Sequence, residues 1–354
     1  MSKAEKDELY RVFSVANDWR ELHVYPMRSV RQSVIVRMRT LGCNGITAGR
    51  VKRMAAIRRK LSTTPIHLDQ IQDIAGCRAI LDNMYGVRKL VASISGEFPH
   101  NIRRQSPYID APKDDGYRSH HFALDFAKGE RRRVELQVRT RLQHSWATAV
   151  EAVGLFLGQD IKHHKGDVNW LRLFQLMSGE FARVEGGAGP QGMPSRSDCL
   201  KELRELDHVL GAAQLLDNIK ILAHYAENYD YDKGQFYVIR YRRVEKTVDA
   251  TSFSSDGDAS TMVSAIERLV ETGQDDSRVV MVEVDRMDGL VETYPNYFGD
   301  VSLFVQNLKQ ICLGKDAIEY HMAPQKLVKP KPEEKSDPTS LFRRYTRWND
   351  PSRK

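Results

Sequence analysis

The stretch that most constrains the fold is residues 132–139, where polar and apolar side chains alternate from Arg133 onward. Alternation with a period of two is typical of a strand with two different faces. Val134, Leu136 and Val138 share one face of this strand. Four polar residues on the opposite face exceed what a solvated edge needs, so the pattern predicts a functional surface. The polar residues are Arg133, Glu135, Gln137 and Arg139.

Strands and helices alternate around this stretch. A second strand is predicted at His121–Phe126 and a third at Cys77–Leu81. A helix beginning at Arg141 follows the alternating strand and carries apolar residues at helical spacing. Helices are also predicted for most of residues 4–40, with an interruption near Tyr25-Pro26. This order favours an α+β fold, in which a small mixed sheet is flanked by helices.

A basic segment precedes the first predicted strand. No acidic residue lies between Glu21 and Asp69, whereas the same stretch holds ten basic residues. A charge run is commonly only a solvated helix face, and that interpretation stays open on charge alone. A mixed-sign helix would keep the chain soluble equally well, however. The complete lack of acids therefore points to a polyanionic partner, which a net charge of +7 also suits.

Four blocks of sequence follow one another in a familiar order. They are Gly49–Lys60, Asp73–Arg78, Gly116–His121 (Gly-Tyr-Arg-Ser-His-His) and Val134–Thr140 (Val-Glu-Leu-Gln-Val-Arg-Thr). Together they resemble the synthetase domain of the RelA/SpoT alarmone synthetases. The resemblance implies a nucleotidyltransferase-like fold and a pyrophosphate transfer that depends on Mg²⁺. The donor would be ATP, and the acceptor the 3′ hydroxyl of GDP or GTP, which gives the alarmone of the stringent response.

The resemblance also implies roles for individual residues. Asp73 would hold Mg²⁺, Arg78 would share in catalysis, and Glu135 would be a second metal ligand or the group that activates the acceptor hydroxyl. Tyr117, at the tip of its loop, would stack on the acceptor base. The residues expected to bind ATP are Arg50, Lys52, Arg59 and Lys60. Those expected to bind or orient the acceptor with Tyr117 are Lys113, His121, Gln137, Arg139 and His144.

Two departures bear on the activity. The family loop often reads Lys-Pro-x-Gly-Tyr, but here Asp114 and Asp115 stand before Gly116 and would repel the phosphates of an acceptor. A toxic relative that modifies the 3′ end of tRNA or an adenosine nucleotide, within a toxin–antitoxin pair, therefore stays an alternative. An inactive regulatory module is a second one. The chain also has no His-Asp dipeptide of the kind that the family's hydrolase domains carry, so we expect synthesis without hydrolysis.

Length and composition set the remaining expectations. A chain of 354 residues favours two domains. The Gly- and Pro-rich residues 186–197 are expected to link a synthetase domain at 1–185, able to fold alone, to a smaller α+β domain at 198–325. That second domain would begin with one long helix at 199–225, and a basic, disordered tail would occupy 326–354.

The composition also indicates where such a chain works. Four cysteines without paired spacing, no apolar run of membrane length and no signal peptide lead us to expect a cytoplasmic protein with no membrane partner. The partners expected are the nucleotides, with tRNA as a possible acceptor, and either copies of the same chain or an antitoxin.

Overall fold

The computed structural model of the chain consists of helices packed on one continuous sheet. It describes residues 3–126, 132–156, 166–223, 236–242, 244–245, 247–283 and 301–319. The helices are α1 (Lys3–Glu21), α2 (Val24–Thr40), α3 (Met54–Thr63), α4 (Met84–Gly96), α5 (Arg141–Phe156), α6 (Val168–Val184), α7 (Arg196–Leu210), α8 (Ala212–Ala223), α9 (Asp256–Glu271) and α10 (Ser302–Cys312). The strands are β1 (Gly45–Val51), β2 (Ala75–Leu81), β3 (Asn101–Pro107), β4 (His120–Asp125), β5 (Arg133–Thr140), β6 (Phe236–Arg242), β7 (Thr247–Phe253) and β8 (Arg278–Glu283).

The described strands form one eight-stranded sheet in the order β3-β4-β5-β2-β1-β8-β6-β7. The pair β2–β5 is parallel, and the other neighbouring pairs are antiparallel. The expected mixed sheet flanked by helices is therefore confirmed. Among the described helices, none combines the length and the apolar character that a membrane crossing requires.

The expected division into two domains is wrong at the 186–197 linker. Strand β8 pairs with β1 through Gly49 and Arg50, so the strands after residue 235 extend the same sheet. One compact unit runs from Met1 to His321 and includes both predicted domains. A Gly- and Pro-rich segment marks a loop, but a loop separates domains only where few contacts cross it. The tail predicted at 326–354 lies outside the described residues.

Local predictions also need correction at two places. The single helix expected at 199–225 is two helices, because Gly211 adopts φ 58° and ends α7; residues 224–225 lie outside the described part. The interruption expected near Pro26 falls earlier, so that α2 begins at Val24. Proline is tolerated in the first turn of a helix, where its missing N–H costs nothing.

The two faces of the sheet differ in chemistry. The back face, defined by Val51, Ala79 and Leu136, packs under α2, α4 and α9 in the main hydrophobic core. A second core joins α5, α6, α7, α8 and α10 around Trp146 and Phe174. The front face carries the polar residues of β1, β2 and β5. The polar front face is therefore the candidate for a functional site, and the apolar back face forms the core with the helices.

Candidate active site

A polar pocket opens on the front face of the sheet, across three neighbouring strands. Its empty volume is about 340 Å³. The strand order sets this arrangement, because β5, β2 and β1 are adjacent and every second residue points forward. The residues that line the pocket are Arg50, Lys52, Asp73, Gly76, Cys77, Arg78, Glu135 and Gln137. Six of these were predicted as site residues from the sequence, so the fold brings them to one place.

One end of the pocket, the donor end, is organised around Asp73. Lys52 Nζ lies 2.6 Å from one carboxylate oxygen of Asp73, and Lys60 Nζ lies 2.8 Å from the other. Burial works to raise the pKa of Asp73, but the two ammonium groups outweigh it and hold the pKa at about 2. Burial lowers the pKa of Lys52, and Asp73 opposes that effect. Asp73 is thus a stable anion that holds two cations at the pocket edge.

Two buried arginines form the floor of the site beside this pair: Arg78 lines the pocket, and Arg139 lies near Arg78. Arg78 and Arg139 are only 6% and 3% exposed. Burial and the nearby charge of Arg78 lower the pKa of Arg139 to about 10. Arg139 Nη2 lies 2.7 Å from Nδ1 of His144, and because the guanidinium can only donate, His144 accepts at Nδ1. Two guanidinium groups close to each other can hold the oxygens of one phosphate group, so this floor suits a phosphate.

Glu135 lies between the two ends of the site. Its Oε1 is 3.0 Å from Nδ1 of His121, and its Oε2 accepts a hydrogen bond of 2.8 Å from the amide of Gln137. Burial and the charge of Asp73 work to raise the pKa of Glu135, but the contacts with His121 and Gln137 together outweigh them, and the pKa is lowered. Glu135 is therefore ionised at neutral pH and can accept a further hydrogen bond.

Next to the pocket lies the acceptor end of the site, which is built on Tyr117 and is connected to the lining residue Glu135 through His121. Because the Glu135 carboxylate only accepts, His121 donates from Nδ1, and its Nε2 lies 2.8 Å from the Tyr117 hydroxyl, within hydrogen-bond distance. The Tyr117 ring has edge contacts with Tyr108 and Trp146, at centroid distances of 6.1 and 6.2 Å. Tyr117 is thus half-buried among aromatic neighbours, and its stacking on an acceptor base stays a prediction.

The loop before Tyr117 explains the departure from the family pattern. Asp115 Oδ1 accepts a hydrogen bond of 2.8 Å from the Tyr117 amide and so builds the turn that presents the ring. Asp114 is exposed. Lys113 Nζ lies 4.7 Å from the ring centroid of Tyr108 and 5.3 Å from that of Tyr117, where a cation–π contact is favourable.

Some residues lie apart from the positions that the sequence suggested. Arg59 is exposed on α3 and does not line the pocket, whereas Lys60, the next residue, reaches Asp73. Successive residues on a helix point about 100° apart, so only one of the two can face the site. Sequence reasoning also missed Tyr108 and treated Trp146 as core only. Tyr108 follows the polar strand β3, which lacks the apolar alternation that reveals a strand.

The pocket can hold a divalent cation. No group of three or more His, Cys, Asp or Glu residues suited to a metal occurs in the described part of the chain. Two carboxylates, Asp73 and Glu135, nevertheless face the same pocket and influence each other's charge. Mg²⁺ is commonly held by one or two carboxylates together with substrate phosphates and water. The donor set therefore fits Mg²⁺ that enters together with a nucleotide.

Comparison with known proteins places this pocket inside a region that matches a protein-family model. Residues 49–155 match the family model described as "Region found in RelA / SpoT proteins". The chain is 30% identical over 168 residues to GTP pyrophosphokinase YwaC of Bacillus subtilis (strain 168), which covers 42% of this chain and 80% of YwaC. All residues of the pocket lie within the range of the family model.

Other relatives match over a smaller share of their length. GTP pyrophosphokinase YjbM of Bacillus subtilis (strain 168) is 32% identical over 108 residues, 28% of this chain and 51% of YjbM. The chain thus spans about half of YjbM, and it spans 13% of GTP pyrophosphokinase rsh of Brucella ovis, at 33% identity over 28% of this chain. Among solved structures, small alarmone synthetase 1 from Bacillus subtilis bound to its product pppGpp is 22% identical, with a TM-score of 0.40 over 48% of this chain and 93% of that chain.

Proposed function

We propose, from the premise that this chain belongs to the RelA/SpoT family, that it transfers pyrophosphate from ATP to the 3′ hydroxyl of a nucleotide. The acceptor 3′ oxygen forms a bond to the β-phosphorus of ATP. The bond between that phosphorus and the oxygen bridging to the α-phosphate breaks, and AMP leaves. The observation that carries the proposal is the convergence of Asp73 and Glu135 on one pocket, between lysines on one side and Tyr117 with His121 on the other.

The donor end supplies the charge that a triphosphate requires. Arg50, Lys52 and Lys60 lie on β1 and α3 around Asp73 and would hold the phosphates of ATP. Phosphoryl transfer relies mainly on positioning and on the stabilisation of charge. Asp73 keeps Lys52 and Lys60 charged and oriented before ATP arrives, so less order is lost on binding. Arg59, exposed on the same helix, is proposed to reach the nucleotide only from outside the pocket.

Asp73 and Glu135 are the proposed ligands of Mg²⁺. When bound, the ion would neutralise phosphate oxygens of the donor. The carboxylates keep unused lone pairs beside their present partners, since an ionised carboxylate can accept about four hydrogen bonds. The remaining ligands would come from phosphates and water, as is usual for Mg²⁺ at nucleotide sites.

Glu135 is the proposed acceptor of the proton released by the 3′ hydroxyl. It is ionised, and His121 and Gln137 fix both of its oxygens. General base catalysis needs such a group within hydrogen-bond reach of the proton that it removes. Arg78 and Arg139, on the floor of the site, would stabilise the negative charge of the transferring group.

The acceptor end offers a platform for a purine. Tyr117, Tyr108 and Trp146 form an aromatic cluster, and stacking on such rings contributes roughly 1–3 kcal/mol per base. Lys113 lies over two of these rings and would move toward a phosphate when a base takes its place. His144, held by Arg139, presents Nε2–H as a donor near the same end.

The relatives named GTP pyrophosphokinase support GDP or GTP as the acceptor, with a guanosine 3′-pyrophosphate as the product. One feature favours a second candidate. Asp114 is exposed in the loop beside Tyr117, and its charge would disfavour an acceptor with a 5′ di- or triphosphate. A tRNA 3′ end carries less charge at that position, so an acceptor of this class is the alternative.

Product analysis with labelled ATP tests the proposal. Purified protein with Mg²⁺ is supplied with ATP labelled at the γ or at the α phosphate, and with GDP, GTP, ATP or deacylated tRNA as acceptor. Transfer of pyrophosphate predicts label in the acceptor from γ-labelled ATP only, while α-labelled ATP yields labelled AMP. Label in the acceptor from both donors, or label only in free phosphate, would contradict the proposal. The preferred acceptor distinguishes the two candidates.

A further inference from the structure

The basic segment finds its acidic partners in the C-terminal part of the chain. Glu267, on α9, accepts a hydrogen bond of 2.7 Å from the Met54 amide at the start of α3. Its other oxygen lies 2.6 Å from Nη1 of Arg20. Both side chains of this ion pair are less than a tenth exposed, at 6% for Arg20 and 8% for Glu267. A residue 213 positions away in sequence therefore caps the helix that carries Lys60.

Helix α3 needs such a contact because its own sequence provides no cap. The first amides of a helix have no partner within the helix, and a side chain at the N-cap position normally supplies one. Arg53 occupies that position and makes no side-chain cap hydrogen bond, and the first turn contains no acidic residue. The positive end of the helix dipole also favours an anion there. The carboxylate of Glu267 satisfies both requirements from another element.

Glu267 acts from behind the sheet and does not enter the pocket. It lines a narrow cavity on the back face together with Val51, Val263 and Met281. The front pocket is lined instead by Arg50 and Lys52, which alternate with Val51 along the chain. Glu267 can therefore affect ATP binding only indirectly, through the position of α3.

We infer that Glu267 is a positioning residue for the donor end: it fixes the start of α3 and thereby the reach of Lys60 to Asp73. This inference rests on the proposed function only in taking ATP as the ligand of that end. The mechanical link is short, since Ile57 of α3 is buried at 1% exposure and Lys60 follows within one turn. A shift of the helix start therefore moves the Lys60 ammonium, 2.8 Å from Asp73.

Three variants test the inference in the full chain. Glu267→Ala removes the cap, and Glu267→Gln removes the charge while it keeps the shape. The double variant Arg53→Ser with Glu267→Ala restores a cap from within α3, because serine is a preferred N-cap residue. Glu271→Gln is the matched control, since Glu271 lies one turn further along α9 and pairs with Arg58, whose side chain is 66% exposed.

The measurements are hydrogen exchange of the amides of residues 54–57, thermal melting, and the separate affinities for ATP and GDP by direct titration. In Glu267→Ala we expect faster exchange at 54–57 and an ATP affinity weakened roughly fivefold, the change that corresponds to the loss of one helix cap. Glu267→Gln should weaken ATP binding less than Glu267→Ala does. The affinity for GDP should stay unchanged in both variants, and Glu271→Gln should resemble the wild type in all measurements. The double variant Arg53→Ser with Glu267→Ala should regain the slow exchange at 54–57 and the ATP affinity of the wild type, even if its melting temperature stays low.

Two results would overturn the inference. One is an unchanged exchange rate at 54–57 in both Glu267 variants. The other is an ATP affinity that follows the melting temperature alone and does not recover in the double variant. Absence of ATP binding in the wild type would count against the proposed function instead, and the exchange data would still decide whether Glu267 caps α3.

Discussion

The donor end of the front pocket, around Asp73, is held by charges, whereas the acceptor end, around Tyr117, is held by aromatic contacts and shared hydrogen bonds. At the donor end, Lys52 and Lys60 both bond Asp73. At the acceptor end, Tyr117 is hydrogen-bonded to His121 and contacts Tyr108 and Trp146. The difference follows the ligands proposed for each end: a triphosphate demands fixed charge, and a base demands a flat apolar surface.

The supports behind the two ends differ as well. The basic stretch without acids receives its anions from the C-terminal part, where Glu267 contacts the Met54 amide and Glu283 lies 3.2 Å from Arg31. The acceptor end depends on Glu185, at the end of α6, whose carboxylate lies 2.6 Å from Arg118. An excess of one charge in a segment can therefore be balanced by residues far along the chain. The sequence of the segment alone does not reveal these partners.

Removal of the residues after 186 should have the largest effect. It deletes β8, which pairs with β1 at Gly49 and Arg50, and it deletes Phe304, whose ring lies 5.4 Å from that of Phe174. We expect this truncation to be insoluble or to lack a cooperative melting transition by circular dichroism, contrary to the expectation that 1–185 folds alone. A chain that ends at residue 321 keeps the compact unit and is the control. A folded, active 1–186 fragment would contradict the shared sheet.

Asp73→Asn should reduce transfer to less than about a tenth of the wild-type rate. The substitution removes a proposed metal ligand and the anion that holds Lys52 and Lys60, and such a loss costs several kcal/mol of transition-state stabilisation. Asp69→Asn is the matched control, because Asp69 is exposed four residues earlier. The measurement is the rate of label transfer from ATP at saturating acceptor. Retention of more than a tenth of the activity would refute the role of Asp73.

Glu185→Gln should weaken the acceptor end alone. It leaves the Arg118 guanidinium, 2% exposed, facing a neutral amide, and breaking a buried ion pair costs about 3 kcal/mol of stability. We expect a lower melting temperature and a raised KM for the acceptor, with the KM for ATP unchanged. Glu202→Gln, which breaks a half-exposed pair with Arg172, should cost less than about 1 kcal/mol. An equal rise of both KM values in Glu185→Gln would remove the distinction between the ends.

A smaller effect is expected from acid. The pKa of Asp73 is about 2 in the folded chain against an ordinary value of 3.8, so the folded state holds this proton less tightly than the unfolded state. The resulting stabilisation, about 2 kcal/mol, is present above pH 4 and is lost as the pH falls from 4 to 2. Unfolding free energies of the wild type and Asp73→Asn should therefore converge across this range. Parallel curves would contradict the strong coupling to Lys52 and Lys60.

Parts of the site were predictable from the sequence because the residues that define a strand by their alternation also carry the polar groups of the pocket. The strict alternation of β5 identifies its polar face, and the same face supplies Glu135 and Gln137 to the pocket. Asp73 and Arg78 occur in a motif that opens a strand, so their position follows once that strand pairs with β5. The sequence motifs thus predict residues that the fold gathers around one pocket.

Other features depend on contacts that a local pattern does not encode. Strand β3 is mostly exposed and basic, so it lacks the alternation that indicates a strand. The pairing of β8 with β1 spans more than 230 residues of sequence, and a Gly-rich loop between them imitates a domain boundary. The contact of Glu267 with Met54 belongs to the same class, because only the assembled sheet brings α9 behind α3.

The two-ended pocket is tested most directly by four equilibrium affinities. ATP and GDP are titrated separately, with Mg²⁺, into Lys60→Ala and Tyr117→Ala, with the wild type as reference. Lys60 contacts Asp73 and Tyr117 contacts His121, so each variant alters one end. We predict that Lys60→Ala weakens ATP binding at least fivefold and leaves GDP unchanged, with the opposite result for Tyr117→Ala, as expected for the loss of one stacked base or one charged contact of about 1–3 kcal/mol. Equal losses of both nucleotides in both variants would contradict separate donor and acceptor ends.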